Sequence, residues 1–214
     1  MPDLTDIQLQ PQSGKAPDSL VVLLHGYGDS AQGLITLGEV WQNALPNTLF
    51  AAPNAPQPCE INPMGYQWYS LQDYNPQTVL KGTEAAHPLL DNYLDKLMDH
   101  YGITSEKLLL VGFSQGTMMS LYTGPRRKDK IAGILGYSGA LFGGGGLKNA
   151  QKPPIHLIHG DIDSVVPVAA FHHAMEILGK NGFEISGYTT PNLDHSIDEK
   201  GLQSGLEFIN KSLN

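Results

Sequence analysis

A serine lies between two glycines at the end of an apolar run, in a spacing that could support nucleophilic chemistry. Residues 108–111 are L-L-L-V, and G-F-S-Q-G follows at 112–116. This G-x-S-x-G pattern is typical of a sharp turn from a strand into a helix, which exposes the serine hydroxyl at the carboxyl end of the strand. Glycines are needed because side chains at positions 112 and 116 would collide with neighbouring backbone. The pattern therefore predicts Ser114 as a nucleophile for acyl transfer.

A serine hydroxyl becomes a good nucleophile only when a histidine takes its proton and a carboxylate holds that histidine in the required tautomer. Asp161 and Asp163 follow one later apolar run, and His195 follows another. Because the carboxyl ends of parallel strands meet at one edge of a sheet, we expect these groups near Ser114. We predict Asp163 as the acid and His195 as the general base. Asp161 is the alternative acid, although it more readily shapes the turn by bonding its own backbone.

Acyl transfer also needs hydrogen-bond donors for the carbonyl oxygen as it becomes negative, and removing one donor costs on the order of 3 kcal/mol. The amide after the nucleophile, that of Gln115, is one candidate for this oxyanion hole. The other is Tyr27, in the glycine loop after the apolar run 20–24, because glycines let a loop turn its N–H groups inward. The alternative is a loop that only begins the next helix, with Asp29 as its N-cap.

A second serine and an early histidine offer competing assignments. Ser138 also follows an apolar run, but the glycine run soon after it, at 143–146, leaves no firm helix. We interpret Ser138 as a structural turn that borders the site. His25 precedes Ser114 in the chain, whereas this type of turn is followed by the acid and then the histidine. We expect His25 to brace its own loop through its ring nitrogens.

Histidines and carboxylates at short spacing, as in residues 156–163, could ligate a metal ion such as zinc. Residues three apart on a strand point to opposite faces, so His156 and His159 should not converge on one ion. The chain also has no H-x-H or H-E-x-x-H pattern there. We expect neither a metal nor a cofactor.

Short β-branched or leucine-rich runs alternate with segments of helical character, which predicts βαβ units, a mostly parallel sheet and helices on both of its faces. Most runs lack polar alternation, as strands buried on both faces should. Ser196 or Asp194 is the expected cap of the last helix. The predicted strands are 20–24, 48–52, 107–111, 131–137, 155–159 and 184–189, and the predicted helices are 30–44, 78–101, 115–122, 168–181 and 196–213.

The chain length of 214 residues fits one α/β domain over residues 1–214. Residues 53–77 interrupt its pattern with prolines at 53, 56, 58, 63 and 76, a spacing that predicts no regular element. A structureless stretch of this length is usually functional or mobile, so we expect a lid or a wall of the substrate site. The expected substrate contacts are Met64, Trp68 and Tyr69 within this segment, together with Phe142 and Val166.

Composition excludes several classes of partner. The chain has 13 Lys and Arg against 21 Asp and Glu, a formal net charge of −8, so we expect no nucleic acid. Its apolar runs fall far short of the roughly 20 residues needed to cross a bilayer. The acidic N-terminal residues lead into no apolar region of a secretory signal. The single cysteine, Cys59, fits a reducing compartment, and we expect a cytoplasmic protein.

Several segments together resemble the acyl-protein thioesterase and carboxylesterase group, also called the phospholipase/carboxylesterase family. They are L-H-G-Y-G-D at 24–29, G-F-S-Q-G at 112–116, H-G-D-I-D-S-V-V-P at 159–167 and the late His195. Motifs in the right order are together far more specific than any one of them. By this resemblance Ser114, Asp163 and His195 take the triad places, and Tyr27 and Gln115 take the oxyanion places.

The resemblance implies a single-domain α/β-hydrolase without a large cap domain, which cleaves short to medium acyl esters or thioesters and uses no cofactor. Its substrate would be a small or lipid-like acyl ester, or an acylated protein, and a homodimer is open. Two departures stand out: Asp194 precedes the histidine where the family usually has glycine, and the glycine run replaces a more structured turn. The alternatives are a serine peptidase on the same fold, which would usually need a longer chain, and a non-catalytic ligand binder.

Overall fold

One seven-stranded sheet organises the chain in the computed structural model, which describes residues 4–214. In chain order the strands are β1 (Asp6–Leu9), β2 (Ser19–Leu24), β3 (Thr48–Pro53), β4 (Gln57–Pro58), β5 (Tyr66–Gln67), β6 (Leu108–Phe113), β7 (Gly133–Tyr137), β8 (Ile155–Gly160) and β9 (Ile185–Thr190). The α-helices are α1 (Ala31–Trp41), α2 (Pro76–Tyr101), α3 (Gln115–Thr123), α4 (Ala169–Lys180) and α5 (Glu199–Leu213).

The sheet has the strand order β1-β3-β2-β6-β7-β8-β9. All neighbouring strands pair in parallel except β1, which is antiparallel to β3 at one edge. The carboxyl ends of β2, β6, β8 and β9 therefore lie on the same side of the sheet, along the row of strand ends rather than at the edge strand β1. The loops that carry the predicted site residues all begin there.

Apolar layers cover both faces of the sheet, and the alternation of side chains along β2 shows how. Leu20, Val22 and Leu24 join the core formed with α2, α3 and α4, whereas Val21 and Leu23 join the core formed with α1 and α5. Strands buried on both faces explain the continuous apolar runs in the sequence. The predicted α/β fold, with helices on both faces of a mostly parallel sheet, is confirmed.

Every predicted strand and helix is present, with ends shifted by a few residues. Strand β1 was not predicted, because its four half-buried residues alternate polar and apolar side chains at the sheet edge. The predicted caps of the last helix are wrong. Asp198 is the N-cap of α5, and its carboxylate accepts from the N–H of Gly201.

The prediction that residues 53–77 contain no regular element is also wrong. Strands β4 and β5 pair antiparallel within this stretch, and Tyr66 of β5 forms a bridge with Asp29 in the loop after β2. The hairpin therefore attaches the segment to the edge of the sheet where the site lies. Among residues 4–214, no helix combines the length and apolar character that crossing a membrane requires.

Candidate active site

Ser114 lies at the junction of β6 and α3 in a backbone conformation that few non-glycine residues adopt, with φ 53° and ψ −114°. Its N–H donates to the carbonyl of Tyr137 on β7 at 2.9 Å. A Cβ at Gly112 would lie 2.3 Å from the nitrogen of Thr117, and one at Gly116 would lie 1.7 Å from the carbonyl oxygen of Leu24. Both glycines are therefore required by close backbone packing around the turn.

His195 and Asp163 form a hydrogen-bonded pair, with 2.8 Å between Nδ1 of the histidine and Oδ2 of the carboxylate. Oδ1 of Asp163 accepts from the N–H groups of Val165 and Val166 at 2.9 and 2.7 Å. Burial raises the pKa of Asp163, but the hydrogen bonds from His195 and the two amides outweigh burial and hold this pKa below its usual value. The carboxylate is thus charged and fully oriented beside the imidazole.

Asp161, the alternative acid, has a different partner. Its Oδ1 accepts from the N–H of Asn192 at 2.7 Å, and no hydrogen bond joins it to His195 in the described part of the chain. Asp161 was expected to shape its own turn. Its carboxylate instead binds the backbone of the loop that carries His195. Asp163 is the carboxylate that contacts the imidazole of His195.

The competing serine and histidine both have structural surroundings. Nε2 of His25 accepts from the N–H of Ala55 at 3.0 Å, and its Nδ1 lies 2.7 Å from the carbonyl of Gly26. Burial lowers the pKa of His25, so the ring is neutral and bonds through both nitrogens. Ser138 is buried and has a positive φ of 46°, but β7 is followed there by no α-helix.

Within residues 4–214, no group of three or more histidine, cysteine or acidic side chains is arranged to hold a metal ion. His156 lies between the hydroxyls of Ser186 and Ser204, at 2.7 and 2.9 Å. Nε2 of His159 lies 2.8 Å from the carbonyl of Val166. The two histidines of β8 therefore serve separate polar contacts.

Ser114 and His195 line the same cavity, which has a volume of about 440 Å³. Val166 is the expected substrate contact that also lies on its wall. The ring of Phe113 lies against the imidazole of His195, with 4.8 Å between ring centroids. The other lining residues are Gly26, Tyr27, Asp29, Ile61, Leu71, Tyr74, Met118 and Val165.

The remaining expected substrate contacts do not line this cavity. Met64 is 86% exposed. Trp68 is buried behind the wall, where its indole N–H donates to the carbonyl of His25. Tyr69 is also buried, with its hydroxyl 3.5 Å from the sulfur of Met118. Phe142 packs edge-on against Tyr74 at 6.5 Å between centroids, so it contacts a wall residue from outside.

Sequence reasoning missed Ile61, Tyr74, Met118 and Val165 as wall residues. Three of them, Ile61, Tyr74 and Val165, are large side chains that are each more than half exposed, which marks a binding surface in the fold but not in the sequence. Burial raises the pKa of the Tyr74 hydroxyl, and the charge of Asp163 raises it further, which places this hydroxyl in its neutral form near the site.

The loop after β2 lies directly against the serine turn. A Cβ at Gly26 would lie 3.3 Å from the Cβ of Ser114. The neighbouring amide of Gly28 donates to the carbonyl of Tyr66. Among residues 4–214, the backbone N–H groups of Tyr27 and Gln115 donate to no backbone carbonyl. These two amides are therefore free to donate to a bound group.

Gln115 also has a structural role that the sequence did not reveal. Its buried side chain accepts from the N–H of Trp68 at 3.0 Å and donates to the carbonyl of Tyr69 at 2.8 Å. Glu60 provides a second link on the exposed side, since it accepts from the hydroxyls of Tyr27 and Ser70. Residues 57–71 are therefore tied to both loops that border the serine.

Known proteins are similar to this chain over most of its length. The family model for phospholipases and carboxylesterases matches residues 9–213. An acyl-protein thioesterase 1 of Schizosaccharomyces pombe is 34% identical over 71% of each chain, and that of Gibberella zeae is 29% identical over 90% of each. The esterase YpfH of Escherichia coli is 25% identical, over 91% of this chain and 83% of its own.

A solved structure agrees with these sequence relatives. The crystal structure of esterase PE8 superposes with a TM-score of 0.94, at 40% identity, over 99% of this chain and all of its own. Because the family model spans nearly the full length and the fold agrees closely, the chain belongs to the phospholipase/carboxylesterase family of α/β-hydrolases.

Proposed function

We propose that this chain hydrolyses carboxylic esters or thioesters of short to medium acyl chains, with Ser114 as nucleophile, His195 as general base and Asp163 as its acid partner. An esterase- or thioesterase-type hydrolase is the enzyme class of the family to which the chain belongs. The observation that carries the residue roles is the 2.8 Å contact between Asp163 and His195, together with the cavity that His195 and Ser114 both line.

The proposed reaction begins when the Ser114 hydroxyl attacks the acyl carbon and Nε2 of His195 takes its proton. Nε2 is available because Asp163 holds the proton on Nδ1. The amides of Tyr27 and Gln115 stabilise the oxygen that becomes negative. Collapse of the tetrahedral intermediate expels the alcohol or thiol, which leaves with the proton from His195. Water then hydrolyses the acyl-serine by the same steps.

The cavity wall supports an acyl chain as the bound group. Leu71, Met118 and Val166 supply apolar surface next to Ser114 and His195. Ile61 and Val165 also line the cavity but remain largely exposed. An apolar wall with a few polar groups is typical of a ligand site. We propose that residues 53–77 act as a substrate wall, because Ile61, Leu71 and Tyr74 of this segment line the cavity.

The substrate class, the location and the oligomeric state are further parts of the proposal. Relatives named acyl-protein thioesterase 1 favour an acylated protein as one substrate, beside small or lipid-like acyl esters. Cys59 is buried and unpaired, which supports a cytoplasmic location over an oxidising one. A homodimer stays a prediction, which light scattering of the purified protein would check.

Labelling with a fluorophosphonate probe tests the proposal, because only an activated serine reacts rapidly with it. We expect the wild-type chain to be labelled and to hydrolyse p-nitrophenyl butyrate, and Ser114→Ala to lose nearly all of both. Ser138→Ala is the matched control and should keep both. Wild-type turnover in Ser114→Ala would contradict the assignment, and an unlabelled wild-type chain would favour a non-catalytic ligand binder.

A further inference from the structure

The loop that carries His195 and the loop that carries Asp163 are in close backbone contact. A Cβ at Gly160 would lie 2.2 Å from the carbonyl oxygen of Leu193 and 2.5 Å from that of Asp194. The N–H of Ile162 donates to the same Leu193 carbonyl at 3.2 Å. Small movements between these loops would change the Nδ1 to Oδ2 distance of the proposed base and acid directly.

Asp194 joins the two loops through its side chain. Its Oδ1 accepts from the N–H and from the hydroxyl of Ser164, each at 2.8 Å, and from the N–H of His195 at 2.8 Å. One oxygen thus holds the backbone of the proposed base and the residue that follows the proposed acid. These hydrogen bonds, first of all those from Ser164, lower the pKa of Asp194.

A reciprocal contact runs from the acid loop to the histidine loop. Asp161 accepts from the N–H of Asn192 at 2.7 Å, and Asn192 has a φ of 59° in the left-handed region. Asparagine tolerates this conformation, and the hydrogen bond to Asp161 fixes the turn here. Each loop therefore contributes a carboxylate that accepts from a backbone N–H of the other loop.

We propose that Asp194 is a positioning residue, which holds His195 against Asp163 by linking the two loops through Ser164. The inference deepens the proposed function and rests on its triad. Asp194 is exposed, so water screens its charge, and its effect comes from the hydrogen bonds it accepts. Displacement of a reacting group by about 1 Å can cost about 100-fold in rate, so a loosened loop should be seen in kcat.

The test compares two substitutions of the same residue. Asp194→Asn keeps an oxygen that can accept from Ser164 and His195 but removes the charge, whereas Asp194→Ala removes both. We expect Asp194→Ala to lower kcat about 10-fold or more with KM little changed, in line with a displaced reacting group. Asp194→Asn should retain kcat within about threefold, far less than a lost positioning contact would cost. Its pH profile should match that of the wild type.

Asp198→Ala is the matched control. This residue also accepts one backbone N–H, that of Gly201, but at the start of α5. We expect it to lower Tm and to leave kcat nearly unchanged. Ser164→Ala should lower kcat partially, and the double variant with Asp194→Ala should be no slower than Asp194→Ala alone, because both remove one link.

A spectroscopic signal separates this inference from the proposed chemistry. The proton between His195 and Asp163 should give a downfield NMR resonance in the wild type and in Asp194→Asn, and it should broaden or vanish in Asp194→Ala. An unchanged resonance and kcat in Asp194→Ala would overturn the positioning role, even if Ser114→Ala is inactive. An equal loss of kcat in Asp194→Asn and Asp194→Ala, with a shifted pH profile, would also overturn the positioning role. It would mean that the charge of Asp194, and not its hydrogen bonds, affects the reaction.

Discussion

Nε2 of His159 lies 3.3 Å from Oδ2 of Asp163, the same oxygen that accepts from Nδ1 of His195. Nε2 is also 2.8 Å from the carbonyl of Val166. Since both neighbours are acceptors, Nε2 of His159 carries the proton. It donates this proton to the carbonyl of Val166, and its contact with Asp163 is electrostatic. Burial lowers the pKa of His159, which keeps the ring neutral. Oδ2 of the proposed acid is therefore in contact with two histidines.

This contact predicts a modest loss of rate in His159→Phe, which keeps a planar ring but has no donor. The variant loses the hydrogen bond to the carbonyl of Val166, whose own N–H binds Asp163. One hydrogen bond contributes about 1 kcal/mol, which corresponds to roughly a fivefold fall in kcat. His172→Phe is the control, since His172 is an exposed histidine on α4. Steady-state kinetics with p-nitrophenyl butyrate would check both. Equal rates in the two variants would argue against support of the carboxylate by His159.

Asp163→Asn should lose far more rate than Asp161→Asn. The amides of Val165 and Val166 require an oxygen at the Oδ1 position, so the new amide nitrogen would face His195 and donate to Nδ1. The proton would then sit on Nε2, the wrong tautomer for a base. Such a change costs on the order of 10⁴-fold in kcat.

Asp161→Asn keeps the oxygen that accepts from Asn192, and its kcat should stay within about threefold of the wild type, well short of what removing a triad member costs. Parallel measurements of kcat for the two variants test the ranking. A greater loss in Asp161→Asn would move the acid to that residue.

The sequence predicted correctly those features that depend on the local backbone. Gly112 and Gly116 mark the serine turn because no side chain fits there. The buried apolar runs predicted the strands. Because the carboxyl ends of parallel strands meet along one side of a sheet, the loops after two of these strands were expected to bring Asp163 and His195 together. None of these inferences depends on how a long segment folds.

The cavity wall could not be read in the same way. Trp68 is a large aromatic residue, the type expected in a substrate site. In the structure, however, its backbone N–H donates to the side chain of Gln115 and its indole N–H donates to the carbonyl of His25. Leu71, three residues later, faces the cavity. In an irregular segment, the spacing of apolar residues does not predict which side chains share a face. Which residue points into the cavity is decided instead by long-range hydrogen bonds, which the sequence does not reveal.

Gln115→Ala should destabilise the chain more than it impairs the oxyanion hole. The side chain is buried and satisfies the N–H of Trp68 and the carbonyl of Tyr69, which would both lose their partner. Each unsatisfied buried group costs about 1–3 kcal/mol. The backbone amide of residue 115 remains in the variant.

We therefore expect a clear fall in the free energy of unfolding measured with urea, with the remaining folded protein still labelled by a fluorophosphonate. Gln151→Ala is the control, because its side chain binds the carbonyl of Lys128 at the surface. Unchanged stability in Gln115→Ala would mean that the link does not hold residues 57–71.

The acyl group is predicted to bind along the wall formed by Leu71, Met118 and Val166. A methylene that is buried contributes about 0.8 kcal/mol, or roughly a fourfold rise in kcat/KM. We expect kcat/KM for p-nitrophenyl esters to rise from acetate to butyrate or hexanoate. Leu71→Ala should flatten this rise and spare acetate, which is too short to reach the removed side chain.

Met64→Ala is the matched control within the same segment, because Met64 is 86% exposed and lies off the cavity wall. It should leave the whole profile unchanged. Trp68→Ala should instead lower activity on all esters alike, since Trp68 is buried behind the wall and supports His25. A profile that falls steadily from acetate, or equal loss on every ester in Leu71→Ala, would show that residues 53–77 do not bind the acyl chain.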